Sequence, residues 1–308
     1  MKYLIIGSGG TGGCIGAYIA RAGNDVTFIA RGKHLKAIRE NGLEVHSARI
    51  GDFTIDNAKA CTMDEYNDIP DVIFVCVKYY SLEETNAFIN RIAKENTLVI
   101  PVLNVFGTGE VMQKACSKCT VLDGCIYIFS MIEEPGVISQ PTSIFKVYFG
   151  FRDNQSRVME RVAKDVEKDL KNAEIEAYFT ENIKRDTLQK FSFVSPMGAA
   201  GLYYHGVGGD FMNPGEKQNT FMSLVKEIEL LGEAMGIIFE EDIKEVNMKI
   251  LKGLTMDSTT SMQRDVMKGG PSEFDGLVHS VVRLAEKYNV KVPTYKKISE
   301  WGKSQNLI

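Results

Sequence analysis

Long apolar runs are missing from this chain. The longest, such as Val72 to Val77, fall far short of what crosses a bilayer, so no membrane partner is expected. An excess of basic charge is missing as well. Against 36 Lys and Arg stand 40 Asp and Glu, a formal net charge of -4. That balance lacks the cationic footprint of a nucleic-acid binder, so no nucleic acid is expected either. A hydrophobic strand begins at residue 2 with no export signal ahead of it, and we expect a cytoplasmic protein. The six cysteines (14, 61, 76, 116, 119 and 125) are then reduced thiols. Cys116-Ser117-Lys118-Cys119 has no second ligand pair at zinc spacing and follows a helical stretch, unlike a redox CxxC. We read it as two ordinary thiols near the surface. The four histidines (34, 46, 205 and 279) form no motif. Without an HExxH or a clustered acid pattern, no metal is expected. Internal repeats and low-complexity segments are absent too.

What is present begins at once. Lys2-Tyr3-Leu4-Ile5-Ile6 reads as a buried strand, Gly7-Ser8-Gly9-Gly10-Thr11-Gly12 follows without a gap, and Ile15, Tyr18 and Ile19 continue at helical spacing. Strand, glycine turn and helix in that order make a dinucleotide-binding βαβ unit. Gly7 permits the tight turn, Gly9 admits the pyrophosphate, and Gly12 lets helix and strand pack closely. Free N–H groups and the helix dipole then hold the phosphates.

The chain is 308 residues long, enough for two domains. Its first part alternates strands and helices. Strands are expected at 25–30, 71–77, 97–102, 121–128, 147–151 and 175–179, with a short antiparallel pair at 43–48 and 53–55. Helices are expected at 34–41, 81–94, 107–118 and 155–170. Beyond about Glu181 strand signals stop. Helical patterns run over 183–204 with a kink at Pro196, over 217–235 with Gly236 as C-cap, over 242–254 and over 272–288. We therefore expect an α/β Rossmann-type N-terminal domain (1–180) that binds the cofactor, followed by an all-α C-terminal domain (181–308) that holds substrate and catalysis.

The second strand ends Phe28-Ile29-Ala30-Arg31-Gly32-Lys33. An NAD site usually places a carboxylate there for the ribose 2′-hydroxyl. Arg31 and Lys33 suit a 2′-phosphate instead, so the expected cofactor is NADP(H). Lys78 and Asn104 stand just past two strands, where an open α/β sheet carries its ligand.

With these residues in view the chain resembles the ketopantoate reductase (2-dehydropantoate 2-reductase) family over nearly its whole length. The likeness rests on Gly7-x-Gly9-x-x-Gly12, Arg31, Val77-Lys78, Asn104 followed by Gly107, and Glu134-Pro135-Gly136-Val137-Ile138. It continues in Leu188-Gln189-Lys190-Phe191, Thr260-Ser261-Met262-Gln263-Arg264-Asp265, Ser272-Glu273-Phe274-Asp275-Gly276 and Asn289-Val290-Lys291-Val292-Pro293. The resemblance implies NADPH-dependent reduction of a 2-keto acid in a cleft between the two domains, ketopantoate to pantoate on the route to coenzyme A. By residue match, Lys190 is the catalytic lysine and Glu273 holds the substrate hydroxyl. Ser261 meets the substrate carboxylate, and Asn104 lies between nicotinamide and substrate. The glycine turn with Ser8, Gly10 and Thr11, together with Arg31 and Lys78, serves the cofactor.

The chemistry agrees. Hydride arriving at a ketone leaves an alkoxide, and a lysine ammonium can stabilise it while attracting an anionic keto acid. The chain departs from the family where asparagines are usual four and eight residues past the lysine. It has Val194 and Gly198 there, and Val105 where glycine is usual. Ser195 is the expected substitute donor at the substrate. The loss of amides leaves another branched or aromatic 2-keto acid open as substrate, and a non-catalytic NADPH-sensing protein as the rival outside enzymology. A homodimer is possible.

Overall fold

The computed structural model describes residues 1–307. They divide into two units. One comprises Met1–Leu103 and Gly107–Ile183, the other Asn104–Phe106 and the chain from Lys184 onward.

The first unit is built on a six-stranded sheet. Its strands are β1 (Lys2–Ile6), β2 (Asp25–Ile29), β5 (Lys59–Cys61), β6 (Val72–Val75), β7 (Leu98–Pro101) and β8 (Thr120–Val121), in the order β5-β2-β1-β6-β7-β8. All pairings are parallel. The order reverses between β1 and β6, which is where a doubly wound sheet opens a ligand crevice beyond its carboxyl ends. Both faces are covered, and β1 divides between them. Tyr3 and Ile5 join one core with Ile15, Ile19 and Phe28; Leu4 and Ile6 join the other with Ile89, Ile92 and Met112. Burial on both faces is why these strands read as continuous apolar runs. The helices are α1 (Gly10–Arg21), α2 (Gly32–Asn41), α3 (Leu82–Ile92), α4 (Thr108–Ala115) and α5 (Glu160–Asn172).

Two smaller sheets complete the unit. The expected pair β3 (Leu43–Ser47) and β4 (Phe53–Ile55) is antiparallel, and β3 also pairs with a hairpin of β10 (Met131–Glu134) and β11 (Val137–Gln140). The hairpin carries no alternation to announce it, because β10 is exposed along its whole length. The run expected as one strand over 121–128 breaks at Leu122. β9 (Asp123–Ile128) there leaves the large sheet to pair with β12 (Phe145–Gly150), which in turn pairs with β13 (Glu176–Phe179). The helix expected from residue 155 starts at Glu160, because the Gln155 side chain bonds the Arg152 and Val121 backbone instead. Cys116 and Cys119 are buried rather than near the surface, and burial pushes their thiols up to about 11 and about 12.

The second unit is helical: α6 (Ile183–Tyr203, which starts at the unit boundary), α7 (Gly208–Met212), α8 (Glu216–Ala234), α9 (Ile243–Lys252), α10 (Ser261–Met267), α11 (Ser280–Tyr288) and α12 (Pro293–Ser304). α8 packs on α7, α9, α11 and α12. It closes as expected at Gly236 (φ 72°), with the Ile237 N–H returning to the Gly232 carbonyl. In the helix expected over 272–288 the first part is instead a π-turn, Asp275–His279, two residues past Glu273, and the α-helix follows from Ser280. No helix of the described residues is long and apolar enough to cross a membrane.

Candidate active site

The glycine turn has the stereochemistry its sequence demands. Gly7 sits at φ 91°, and a Cβ there would stand 2.9 Å from Val77 Cγ1 and 3.0 Å from the Cys76 backbone. A Cβ on Gly12 would meet the Gly7 carbonyl oxygen at 2.3 Å, whereas one on Gly9 would meet nothing within 4 Å. The space in front of Gly9 is open. α1 begins behind it with Gly9 as N-cap, no side-chain cap and no acid in its first turn. The first N–H groups of a helix have no intrahelical acceptors, so Gly10, Thr11 and Gly12 present donors and a positive dipole end that fit a pyrophosphate. Ser8 contributes no side chain to that task. It is buried, and its hydroxyl and N–H both donate to the Ile29 carbonyl, at 2.9 and 3.2 Å.

Arg31 is the N-cap of α2, exposed and in extended backbone, and the first turn of α2 contains no acid. Lys33 is exposed beside it. Both are available to a 2′-phosphate. Lys78 lies three residues past the end of β6, where it heads a short 3-10 turn.

In the helical unit, α6 carries Lys190. Its ammonium donates to Asn104 Oδ1 at 2.7 Å, and the lysine is only 7% exposed. Asn104 follows β7 in sequence, yet belongs to this unit, as does Phe106, whose ring lies 6.1 Å from that of Phe191. Burying an ammonium is costly unless it is hydrogen-bonded, and the Asn104 amide oxygen offsets part of that cost.

α6 continues through Pro196. Proline lacks the N–H that would reach the carbonyl four residues back, on Ser192. Asn247 of α9 supplies the missing donor: its fully buried amide gives one hydrogen bond each to the Ser192 carbonyl and hydroxyl, both at 3.0 Å.

Ser195, expected at the substrate, faces the core instead. It is 0% exposed, its hydroxyl donates to the Leu277 carbonyl at 2.5 Å, and it accepts from Tyr295 Oη at 2.5 Å. Leu277 lies in the π-turn, and its own N–H donates to the Glu273 carbonyl at 2.9 Å. Ser195 therefore ties the lysine helix to the segment bearing Glu273, which is 3% exposed. The buried Glu227 of α8 holds the other end by accepting the Thr294 and Tyr295 N–H groups at the start of α12.

Ser261 is the half-buried first residue of α10, behind a Thr260–Gln263 capping box. The next two residues fill gaps left by glycines of α6. A Cβ on Gly198 would stand 2.8 Å from Met262 Cε, and one on Gly201 would stand 2.6 Å from Gln263 Oε1. Among the described residues no group of three or more His, Cys, Asp or Glu could hold a metal.

A doubly wound sheet ending in this glycine turn, with a helical unit that buries a hydrogen-bonded lysine, places the chain among the Rossmann-type oxidoreductases. Comparison with known proteins narrows the class. The family descriptions "Ketopantoate reductase PanE/ApbA" and "Ketopantoate reductase PanE/ApbA C terminal" match residues 3–154 and 182–303. The 2-dehydropantoate 2-reductase of Aquifex aeolicus (strain VF5) is 26% identical, with 100% of this chain and 97% of that protein covered. A D-mandelate dehydrogenase solved with NADH and anilino(oxo)acetate superposes at a TM-score of 0.86 with 22% identity, over 100% and 99% of the two chains. A dimeric ketopantoate reductase from Staphylococcus aureus superposes at 0.82 with 18% identity, over 100% of both. The chain belongs to the ketopantoate reductase family.

Proposed function

We propose that this protein is an NADPH-dependent reductase of a 2-keto acid, with 2-dehydropantoate as the first substrate to test and pantoate, a coenzyme A precursor, as its product. The Lys190–Asn104 pair carries this reading: a nearly buried lysine whose Nζ is held at 2.7 Å by an amide oxygen. When bound, the reduced nicotinamide supplies a hydride to the keto carbon. The first unit binds it, with the turn Gly7, Gly9, Gly10, Thr11 and Gly12 at the pyrophosphate, Arg31 at the 2′-phosphate and Lys78 at the cofactor. The second unit holds substrate and catalysis. Lys190 attracts the keto acid, stabilises the developing alkoxide and delivers a proton from Nζ to that oxygen. Asn104 fixes the ammonium, Glu273 accepts from a substrate hydroxyl, and Ser261 donates to the carboxylate. Ser195 acts behind these groups, through the π-turn. A cytoplasmic homodimer is consistent with the reading, and the Staphylococcus aureus relative is described as dimeric.

A second reading concerns the substrate alone. Val194 and Gly198 lie one and two turns from Lys190 on the same helical face, and the Met262 methyl sits against Gly198. That apolar surface favours a branched or aromatic 2-keto acid without a hydroxyl. The test is the loss of reduced-nicotinamide absorbance with NADPH or NADH against 2-dehydropantoate and a panel of branched and aromatic 2-keto acids. Selective turnover of 2-dehydropantoate with NADPH supports the first reading, and selective turnover of an aromatic acid supports the second. NADPH binding without turnover of any of them refutes both and leaves a cofactor-sensing protein.

A further inference from the structure

The β10–β11 hairpin lies over the glycine turn. A Cβ on Gly10 would stand 2.6 Å from the Ser130 carbonyl oxygen and 2.7 Å from the Met131 nitrogen, and one on Gly13 would stand 2.9 Å from the Ile138 side chain. A third connection is made by an imidazole. His34 of α2 accepts the Gly136 N–H on Nδ1 at 3.0 Å, and its Nε2 bonds the Ser8 carbonyl oxygen at 2.8 Å. An amide N–H can only donate and a carbonyl can only accept. The two partners therefore fix one state, a neutral ring with its proton on Nε2. A protonated ring would turn a second N–H against that of Gly136 and break the connection.

We propose that His34 is a positioning residue for the cofactor's pyrophosphate: the neutral imidazole locks the Ser8–Gly9 turn to the hairpin, and protonation releases it. The inference rests on reading the glycine turn as the phosphate site. Both ring nitrogens are spent on backbone, so the ring offers no direct contact to a phosphate. The charged groups on the elements around it are exposed or paired. Arg31 and Lys33 on its own helix are exposed, as are Glu133 and Glu134 on the hairpin, and on β3 His46 pairs with Glu44 and Glu133. Glycine turn residues bring no titratable side chain. Burial lowers the basicity of His34, and the Ser8 carbonyl opposes the shift.

The test measures NADPH affinity of the full chain by fluorescence titration at about pH 8 and about pH 5.5, on either side of an ordinary histidine. The proteins compared are wild type, His34→Gln and His34→Leu. Glutamine keeps one donor and one acceptor but cannot be protonated. The 2′-phosphate titrates equally in all three. His34→Gln should bind within about threefold of wild type at the higher pH, while wild type should lose about tenfold more affinity than His34→Gln on acidification, the size of one net hydrogen bond. His34→Leu should bind about tenfold more weakly than wild type at the higher pH. The Gln comparison stands alone if the Leu variant does not fold. Equal acid losses in wild type and His34→Gln would overturn the proposal, as would tighter wild-type binding in acid. Wild type that binds neither NADPH nor NADH at the higher pH overturns the cofactor reading itself, a result distinct from the others.

Discussion

Lys190 is the residue on which the proposed chemistry turns. Replacing it with Ala should lower kcat by about 10²–10⁴ if it supplies the proton, with NADPH affinity unchanged; a variant that turns over at near the wild-type rate would remove it from the mechanism. Gly198 bears on the choice of substrate. A Cβ there would press only on the end of the flexible Met262 side chain at 2.8 Å, with Thr260 Oγ1 in ordinary contact at 4.0 Å, so Gly198→Asn should fold. The added amide should shift kcat/KM toward hydroxylated keto acids over apolar ones by about 1–3 kcal/mol. A ratio that does not move would place Gly198 outside the substrate's reach. Ser195 marks the limit of reading single residues: its position in the sequence suggested a substrate donor, but Leu277 and Tyr295, which claim its hydroxyl, lie 82 and 100 positions away.

At the scale of elements, α6 is a helix with one backbone bond supplied from outside. Asn247→Leu would leave the Ser192 carbonyl buried without its donor and should cost about 1–3 kcal/mol, read from the urea midpoint. Pro196→Ala restores an N–H four residues on, so in the double variant the loss of Asn247 should cost less than it does alone. Strict additivity would show that the two sites are uncoupled. α12 depends likewise on a distant residue: Glu227 accepts two N–H groups of its first turn, and Glu227→Gln, with one acceptor oxygen in place of two, should also lower the midpoint. Such borrowed partners explain what the sequence left unread. The glycine turn was legible because strand, turn and helix are contiguous. α12 was not, because its cap comes from α8. The hairpin was not, because β10 is exposed on every residue. The π-turn after Glu273 looks in sequence like ordinary helix, and His34 acts only through Ser8 and Gly136, neither of which is near it in the chain.

For the molecule as a whole, two histidines, His279 buried and His34 half-buried, set a direction with pH. Burial holds His34 and His279 below the ordinary histidine value. An unfolded chain protonates first as the pH falls, so their contribution to stability is present above about pH 6.5 and is lost as the pH drops through the lower folded values. The melting temperature should therefore fall on acidification below that point, and less steeply in His34→Gln than in wild type. Equal slopes would mean that His34 takes up its proton as readily folded as unfolded. The order of domain types and the residues of the Lys190–Asn104 pair were readable from the sequence, but which unit Asn104 would join was not, since it follows a strand of the other.

That placement has a consequence for anyone recombining such genes. Asn104–Phe106 are encoded among the strands of the first unit and finish the second. A chimera joined at residue 183 would take its lysine from one parent and the lysine's amide from the other. A fragment starting at Lys184 would leave the Lys190 ammonium without the Asn104 oxygen and the Phe191 ring without Phe106. The two halves are thus not separately heritable modules: exchange by a single crossover breaks the pair, and only a graft that carries residues 104–106 along with the helices transfers it whole.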